Sequence, residues 1–129
     1  MIILAVISVG ELLDKISILE IKLSKIFDSI KLKSIKKEYE ALHKILKDSH
    51  IIEYEEFLKS LKNINLELWE VEDMLRLKER HKKFGKEFVE LARKVYILND
   101  RRFKVKEKVN YFYGSEIKEE KSYYTYEDS

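Results

Sequence analysis

The apolar positions of the chain recur mostly at intervals of three and four residues, the period of a helix with one buried stripe. Leu12, Ile16, Leu19, Leu23 and Ile26, with Phe27 beside them, predict a first helix to about Phe27. Ser8-Val9-Gly10-Glu11 has capping-box spacing at its start: Ser8 can accept the N–H of residue 11 and Glu11 can reach back. Asp28-Ser29 marks a turn. A second helix follows over roughly 31–48, with Ile35, Tyr39, Leu42, Ile45 and Leu46 on its apolar side, and Asp48-Ser49-His50 breaks it. A third helix starts between 51 and 54 and runs as far as Lys82 on a stripe of Phe57, Leu61, Ile64, Leu68, Val71 and Leu75. After a turn near Lys83–Gly85, a fourth runs from about Lys86 to Tyr113, with Phe88, Ala92, Val95, Tyr96, Asn99 and Phe103 on one face. Gly114 suits the left-handed position that closes a helix, and Ser115 can cap a short helical turn over 116–121.

These elements predict an all-α fold: an antiparallel bundle of about four helices, in one domain over residues 1–129, with a short extended N-terminal segment and a short C-terminal tail. The start, MIILAVISV, breaks the helical period and is apolar except for Ser8. It is too short to cross a bilayer and lacks a basic leader, so the expectation is an extended segment lying on the helices, or an arm that docks on another subunit. The tyrosine-rich tail is expected to fold back, bringing Lys121, Tyr123 and Tyr126 onto the bundle.

Composition agrees with long helices. There is no proline, three glycines occur in 129 residues, and 39% of residues are charged. No cysteine is present, which removes disulfides and thiolate metal sites and is compatible with the cytoplasmic location expected here. Net charge is +2, yet its sign varies: 31–50 holds six lysines against three acids, and 81–113 ten Lys or Arg against four. Helices that neutralise one another across a bundle show this alternation, and so does an anion-binding patch.

The richest polar stretch is NLELWEVEDMLR, 65–76. Stepping about 100° per residue from Trp69 puts Asn65 and Asp73 about 40° either way and Arg76 about 20° off, on the shoulder of the apolar stripe. Glu20 lies at the edge of the first helix's stripe, with Asp14 on its solvent side, while Asn99, Arg102, Lys106 and Asn110 belong to the inner side of the fourth helix. The candidate ligand-binding set is therefore Glu20, Asn65, Trp69, Glu72, Asp73 and Arg76, with Tyr96, Asn99 and Arg102 opposite. A tryptophan or tyrosine could stack on a sugar or base, and an arginine could face a phosphate or carboxylate. An ordinary polar rim accounts for the same residues without a ligand.

Other chemistries have thinner support. Glu53-x-x-Glu56 and Glu70-x-x-Asp73 resemble the paired carboxylates of all-helical nucleotide pyrophosphohydrolases, which hold magnesium. On a continuous helix, however, the first pair points away from Asp73, and glutamate is abundant enough for the spacing to arise by chance. A magnesium-dependent hydrolase or transferase stays as an alternative, as does a structural oligomerisation module. The histidines lack metal-ligand spacing, there is no glycine-rich phosphate loop, and no cofactor or metal is expected. The near-balanced charge and acidic tail argue against nucleic acid, which leaves an anionic small molecule or a homo-oligomer as the expected partner.

ISVGELLDKISILEIK (7–22), NLELWEVEDMLR (65–76), LARKVYILNDRR (91–102) and VNYFYGSEIKEEKSY (109–123) together resemble an uncharacterised family of small all-helical proteins of bacteria and their phages. The likeness spans essentially the whole chain. The corresponding positions are Gly10, Glu11, Asp14, Lys15, Glu20, Lys22, Asn65, Trp69, Glu72, Asp73, Arg76, Arg93, Tyr96, Asn99, Asp100, Arg102, Asn110, Gly114, Ser115, Glu120, Lys121 and Tyr123. In that family the domain sometimes stands alone and sometimes resembles the tail of a tetratricopeptide-repeat protein, often near surface-polysaccharide genes. The resemblance implies the fold and carries no activity, catalytic residue or ligand. The lysine-rich segments and the apolar start depart from its pattern.

Overall fold

In a computed structural model, residues 1–126 are described, and they form four helices: α1 Val9–Lys25, α2 Ser29–Asp48, α3 Glu55–Arg80 and α4 Lys86–Phe112. Their ends follow local chemistry. Ser8 Oγ accepts the Glu11 N–H at 3.0 Å, and Asp28 accepts from Ile30 and Lys31, so α1 and α2 each start on a side-chain cap. At the end of α4 the Ser115 N–H reaches the Asn110 carbonyl at 2.8 Å and the Gly114 N–H reaches that of Tyr111, with Gly114 at φ +62°. That is a Schellman closure with glycine in its left-handed position. The same pair of bonds ends α3, from Lys83 to Lys78 and from Lys82 to Glu79, but there the left-handed residue is Lys82, at φ +54°.

The helices pack as an all-α bundle centred on α1, which approaches α2, α3 and α4, while α2 makes close backbone contacts with α1 alone. A core of Leu12, Leu13 and Ile16 from α1, Leu46 from α2, Leu61 from α3 and Val109 from α4 takes a side chain from every helix. Along α1, Gly10 meets Asn110 of α4, Asp14 meets Asn65 and Arg102, and Glu20 meets Lys62 of α3. The helix thus lies obliquely over the α3/α4 hairpin, entering above α4 and leaving above α3. At 1.5 Å per residue α1 is about 25 Å long and α3 and α4 about 40 Å, so the far half of the hairpin projects beyond it. That half is held by Leu68, Val71 and Leu98, with Ile64, Leu75, Leu91 and Val95 packed beside them.

Several expectations change. Asp14, placed on the solvent side by helical stepping, is 2% exposed, because α4 lies over that face of α1. Phe27 drops out of the buried stripe and is 88% exposed, since α1 ends two residues earlier. The inner face of α4 is rotated from the expected one: Leu98, Lys106, Val109 and Asn110 are buried, with Val95, Arg102 and Val105 half-buried. Residues 116–121 form no helical turn. The N-terminal segment is extended but does not lie on the helices, and Met1, Ile2, Ile3, Leu4 and Val6 are at least 80% exposed.

Candidate functional site

The polar centre of the molecule lies where α1 crosses the hairpin. Asn65 Nδ2 donates to Asp14 Oδ1 and to Ser17 Oγ, each at 2.8 Å, and Ser17 Oγ donates to the Asp14 carbonyl at 2.7 Å. Asn65 Oδ1 accepts from the Arg102 guanidinium at 3.3 Å, and Arg102 Nε stands 3.5 Å from Asp14 Oδ2. A buried carboxylate without such partners would be strongly destabilising; here each carboxylate oxygen faces a donor or a cation. No fully buried side-chain nitrogen or oxygen among the described residues lacks a hydrogen bond.

One turn further along α4, Lys106 extends the network toward the surface. Its Nζ is 2.7 Å from Glu11 Oε2, 2.8 Å from Glu119 Oε2 and 3.9 Å from Asp14 Oδ2, and the residue is 5% exposed. Burial pushes the Glu11 carboxyl up, but the hydrogen-bonded Lys106 ammonium outweighs it and holds the pKa below its ordinary value. Burial likewise acts to lower Lys106, and the hydrogen bonds to Glu11 and Glu119 overcome it, leaving that pKa raised. Glu11 therefore spends its carboxylate on Lys106 and does not close the expected capping box.

Beside Lys106 opens a groove of about 530 Å³ between α4 and the segment after it. Phe103, Lys106, Asn110 and Tyr111 contribute from α4, and Ser115, Lys118 and Glu119 from the tail. The volume suits a small molecule, and the walls combine two aromatic rings with amide, hydroxyl, ammonium and carboxylate groups. Lys118 makes no ion pair among the described residues. Two further tail contacts follow: the Lys121 ammonium sits 5.1 Å from the Phe103 ring centre, and Tyr126 lies 5.2 Å from Tyr96, centroid to centroid. The tail thus reaches α4 through Lys121 and Tyr126 as expected, though Tyr123 and Tyr126 remain about half exposed.

A model of the DUF6165 family, described as a family of unknown function, matches residues 3–128. The chain belongs to that family. Comparison with curated proteins and with solved structures gave no match. In this DUF6165 chain the polar network draws on three of the four motifs quoted above, through Glu11 and Asp14, Asn65, and Arg102, and the groove draws on the fourth through Asn110 and Ser115.

Of the residues singled out from sequence, Asn65 and Arg102 meet directly. Glu20 turns to Lys62 at 3.3 Å and to Tyr39, whose hydroxyl pKa is raised by burial and then by Glu20. Trp69 and Asn99 are half-buried. Glu72 and Arg76 pair at 3.9 Å on an exposed face that also carries Asp73, and Arg76 lies about 16 Å along the helix axis from Asn65. Tyr96 faces the tail. The structure therefore does not gather the nine residues into one pocket. Asp14 and Glu119 were missed, although Asp14 had a signal, a charge one helical turn from a buried position on a motif-bearing helix; Lys106 was placed on the inner side of the fourth helix but left out of the nine. No group of three His, Asp or Glu side chains placed to hold a metal occurs among the described residues, and no helix among them is long and apolar enough to cross a membrane.

Proposed function

We propose that this protein is a small helical binding domain that takes an anionic small molecule, such as a sugar phosphate, a uronic acid or a nucleotide, in the groove between α4 and the tail. The observation that carries the reading is Lys106: a buried ammonium at the groove whose partner on that side is a carboxylate, Glu119. Phe103 and Tyr111 offer faces for a sugar or base, Asn110 and Ser115 offer hydrogen-bonding groups, and Lys118 supplies a second cation at the mouth. Behind Lys106, Glu11 holds its ammonium at 2.7 Å, and Asn65 and Arg102 hold Asp14, 3.9 Å from it. The resemblance noted from the sequence, to small helical proteins of bacteria and phages often near surface-polysaccharide genes, would suit a sugar-phosphate ligand.

Calorimetric titration of the full chain with inorganic phosphate, glucose 1-phosphate, galacturonate and UMP tests this. Saturable binding of at least one is expected, weakened about tenfold by Lys118→Ala or Tyr111→Ala, which is the loss of one good polar or stacking contact. Absence of binding across the set, or affinity indifferent to both substitutions, would overturn the reading.

A second reading, self-association, is favoured by the N-terminal arm. Residues 1–7 are apolar on both faces, extended, and make no backbone hydrogen bond among the described residues. Such a segment satisfies its backbone and covers its side chains when it pairs with the same segment of a second copy about a two-fold axis. Light scattering is then expected to report a dimer for the intact chain and a monomer for Ile3→Asp/Val6→Asp. A monomer at high concentration with the arm intact removes this reading.

A further inference from the structure

The tail returns along α4 in the opposite direction to the helix. Glu119 meets residue 106, Lys121 meets 103 and Tyr126 meets 96, so three attachments climb ten residues of helix, about 15 Å. The seven residue steps from 119 to 126 can span roughly 23 Å when extended, so the tail is laid on the helix with slack and is not stretched over it. It leaves α4 through the left-handed Gly114, which has open space around it. Residues 116–126 are exposed, and Glu119, Lys121 and Tyr126 attach through an ion pair, a cation–π contact and a tilted ring pair. Half of the groove's lining comes from residues 114–120.

Charge adds an independent constraint. Around Lys106 stand three carboxylates, Glu11, Asp14 and Glu119, against three cations, Lys106, Arg102 and Lys15, the last 3.8 Å from Glu11. A fourth anion would turn this balanced group negative unless one carboxylate left it. Glu11 and Asp14 belong to α1 and are fixed by its packing. Glu119 alone of the three is carried on a segment outside the helices.

We infer that the tail is a displaceable strap: Glu119 occupies the anion position on Lys106, and an incoming carboxylate or phosphate takes that position as the segment from Glu119 onward lifts off α4, while Ser115 and Lys118 stay as the wall of the groove. This rests on the anion-binding reading for the identity of the displacing group, while the strap itself is tested without any ligand. No bond is made or broken; one carboxylate replaces another on the same ammonium.

The test compares the full chain with Glu119→Gln and Glu119→Asp. First, brief acetylation with a water-soluble amine-reactive ester, followed by peptide mass mapping, reads access to Lys106. Glu119→Gln is expected to raise labelling of Lys106 at least fivefold and to speed hydrogen exchange of residues 119–126, with Glu119→Asp in between and labelling of the exposed Lys118 unchanged. Labelling and exchange equal to those of the unaltered chain would overturn the strap. Second, inorganic phosphate and UMP are titrated into both chains. Glu119→Gln is expected to bind the phosphate-bearing probe at least tenfold more tightly. Equal affinity in both chains would overturn displacement while leaving anion binding standing. Increased labelling with no affinity for either probe would leave the strap standing and count against the anion-binding reading.

Discussion

Gly10 shows how much a single missing atom decides. Its N–H donates to Asn110 Oδ1 at 2.7 Å, and a Cβ placed on it would lie 2.7 Å from the Lys106 carbonyl oxygen and 2.8 Å from that same Asn110 oxygen. The nearest obstacle is backbone, which cannot rotate away. The glycine thus sets how closely α1 approaches α4, and so whether Asp14 and Glu11 reach Arg102 and Lys106. Gly10→Ala is expected to destabilise the fold by about 1–3 kcal/mol, the usual cost of forcing extra volume into a packed seam, read from the urea midpoint. The Glu11–Lys106 pair predicts a pH signature. Glu11 has a folded pKa below its ordinary 4.5, so its stabilisation is present above that value and is lost as pH falls through the folded pKa. Lys106, raised above 10.5, gives the mirror image, with stabilisation present below 10.5 and lost as pH rises through its folded value. The stability difference between the unaltered chain and Glu11→Gln should therefore be full at neutral pH and shrink below about pH 4.5. Denaturant titrations at pH 7 and pH 3 that give equal differences would contradict it.

Among the elements, the helices were legible because their apolar stripes are long: α3 runs within two residues of the expected end, and its Leu61, Leu68 and Val71 are buried. The rotation of α4 was harder to read. Its inner face carries Arg102, Lys106 and Asn110 where apolar residues would normally mark the seam, so counting hydrophobic positions drew the stripe toward Tyr96 and Asn99. The same substitution of charge for hydrocarbon hid Asp14. Polar partners that satisfy one another across helices leave no periodic trace in either helix alone. Loop chemistry offers a cleaner prediction. The α3/α4 turn closes on Lys82 at φ +54°, a conformation that suits glycine, while α4 closes on Gly114 in the same geometry. Lys82→Gly is expected to raise stability by about 0.5–1 kcal/mol through relief of that strain, measured by thermal or urea unfolding. A loss of stability would mean that the entropy gained by the unfolded chain outweighs the relief.

At the level of the whole molecule, the bundle was read correctly in class and in helix number, but its centre was not. Helical stepping made α3 the chemically rich element. The structure gives that place to α1, the one helix whose backbone closely approaches the other three, and gives α3 the single residue, Asn65, that ties the network together. Glu72, Asp73 and Arg76 lie toward the projecting half of the hairpin, where no third helix covers them, and their motif spacing reflects a shared helix face more than a shared pocket. The tail, expected to fold back onto the bundle, also supplies half of the lining of the groove, which sequence did not foresee.

The central position of α1 has a consequence for the order of events during synthesis. Asp14 leaves the ribosome 88 residues before Arg102, and Gly10 precedes Asn110 by 100. At about 5–20 residues per second, the nascent chain spends roughly 5–20 s with its first helix made and the cations for its buried carboxylate not yet translated. Through that interval α1 has α2 beside it and, later, α3, but the seam at Gly10 has nothing to close on. The native packing of the first helix is therefore sealed by the last one, and a transcript that stops before α4 yields a chain whose central carboxylate has lost both of its counter-charges.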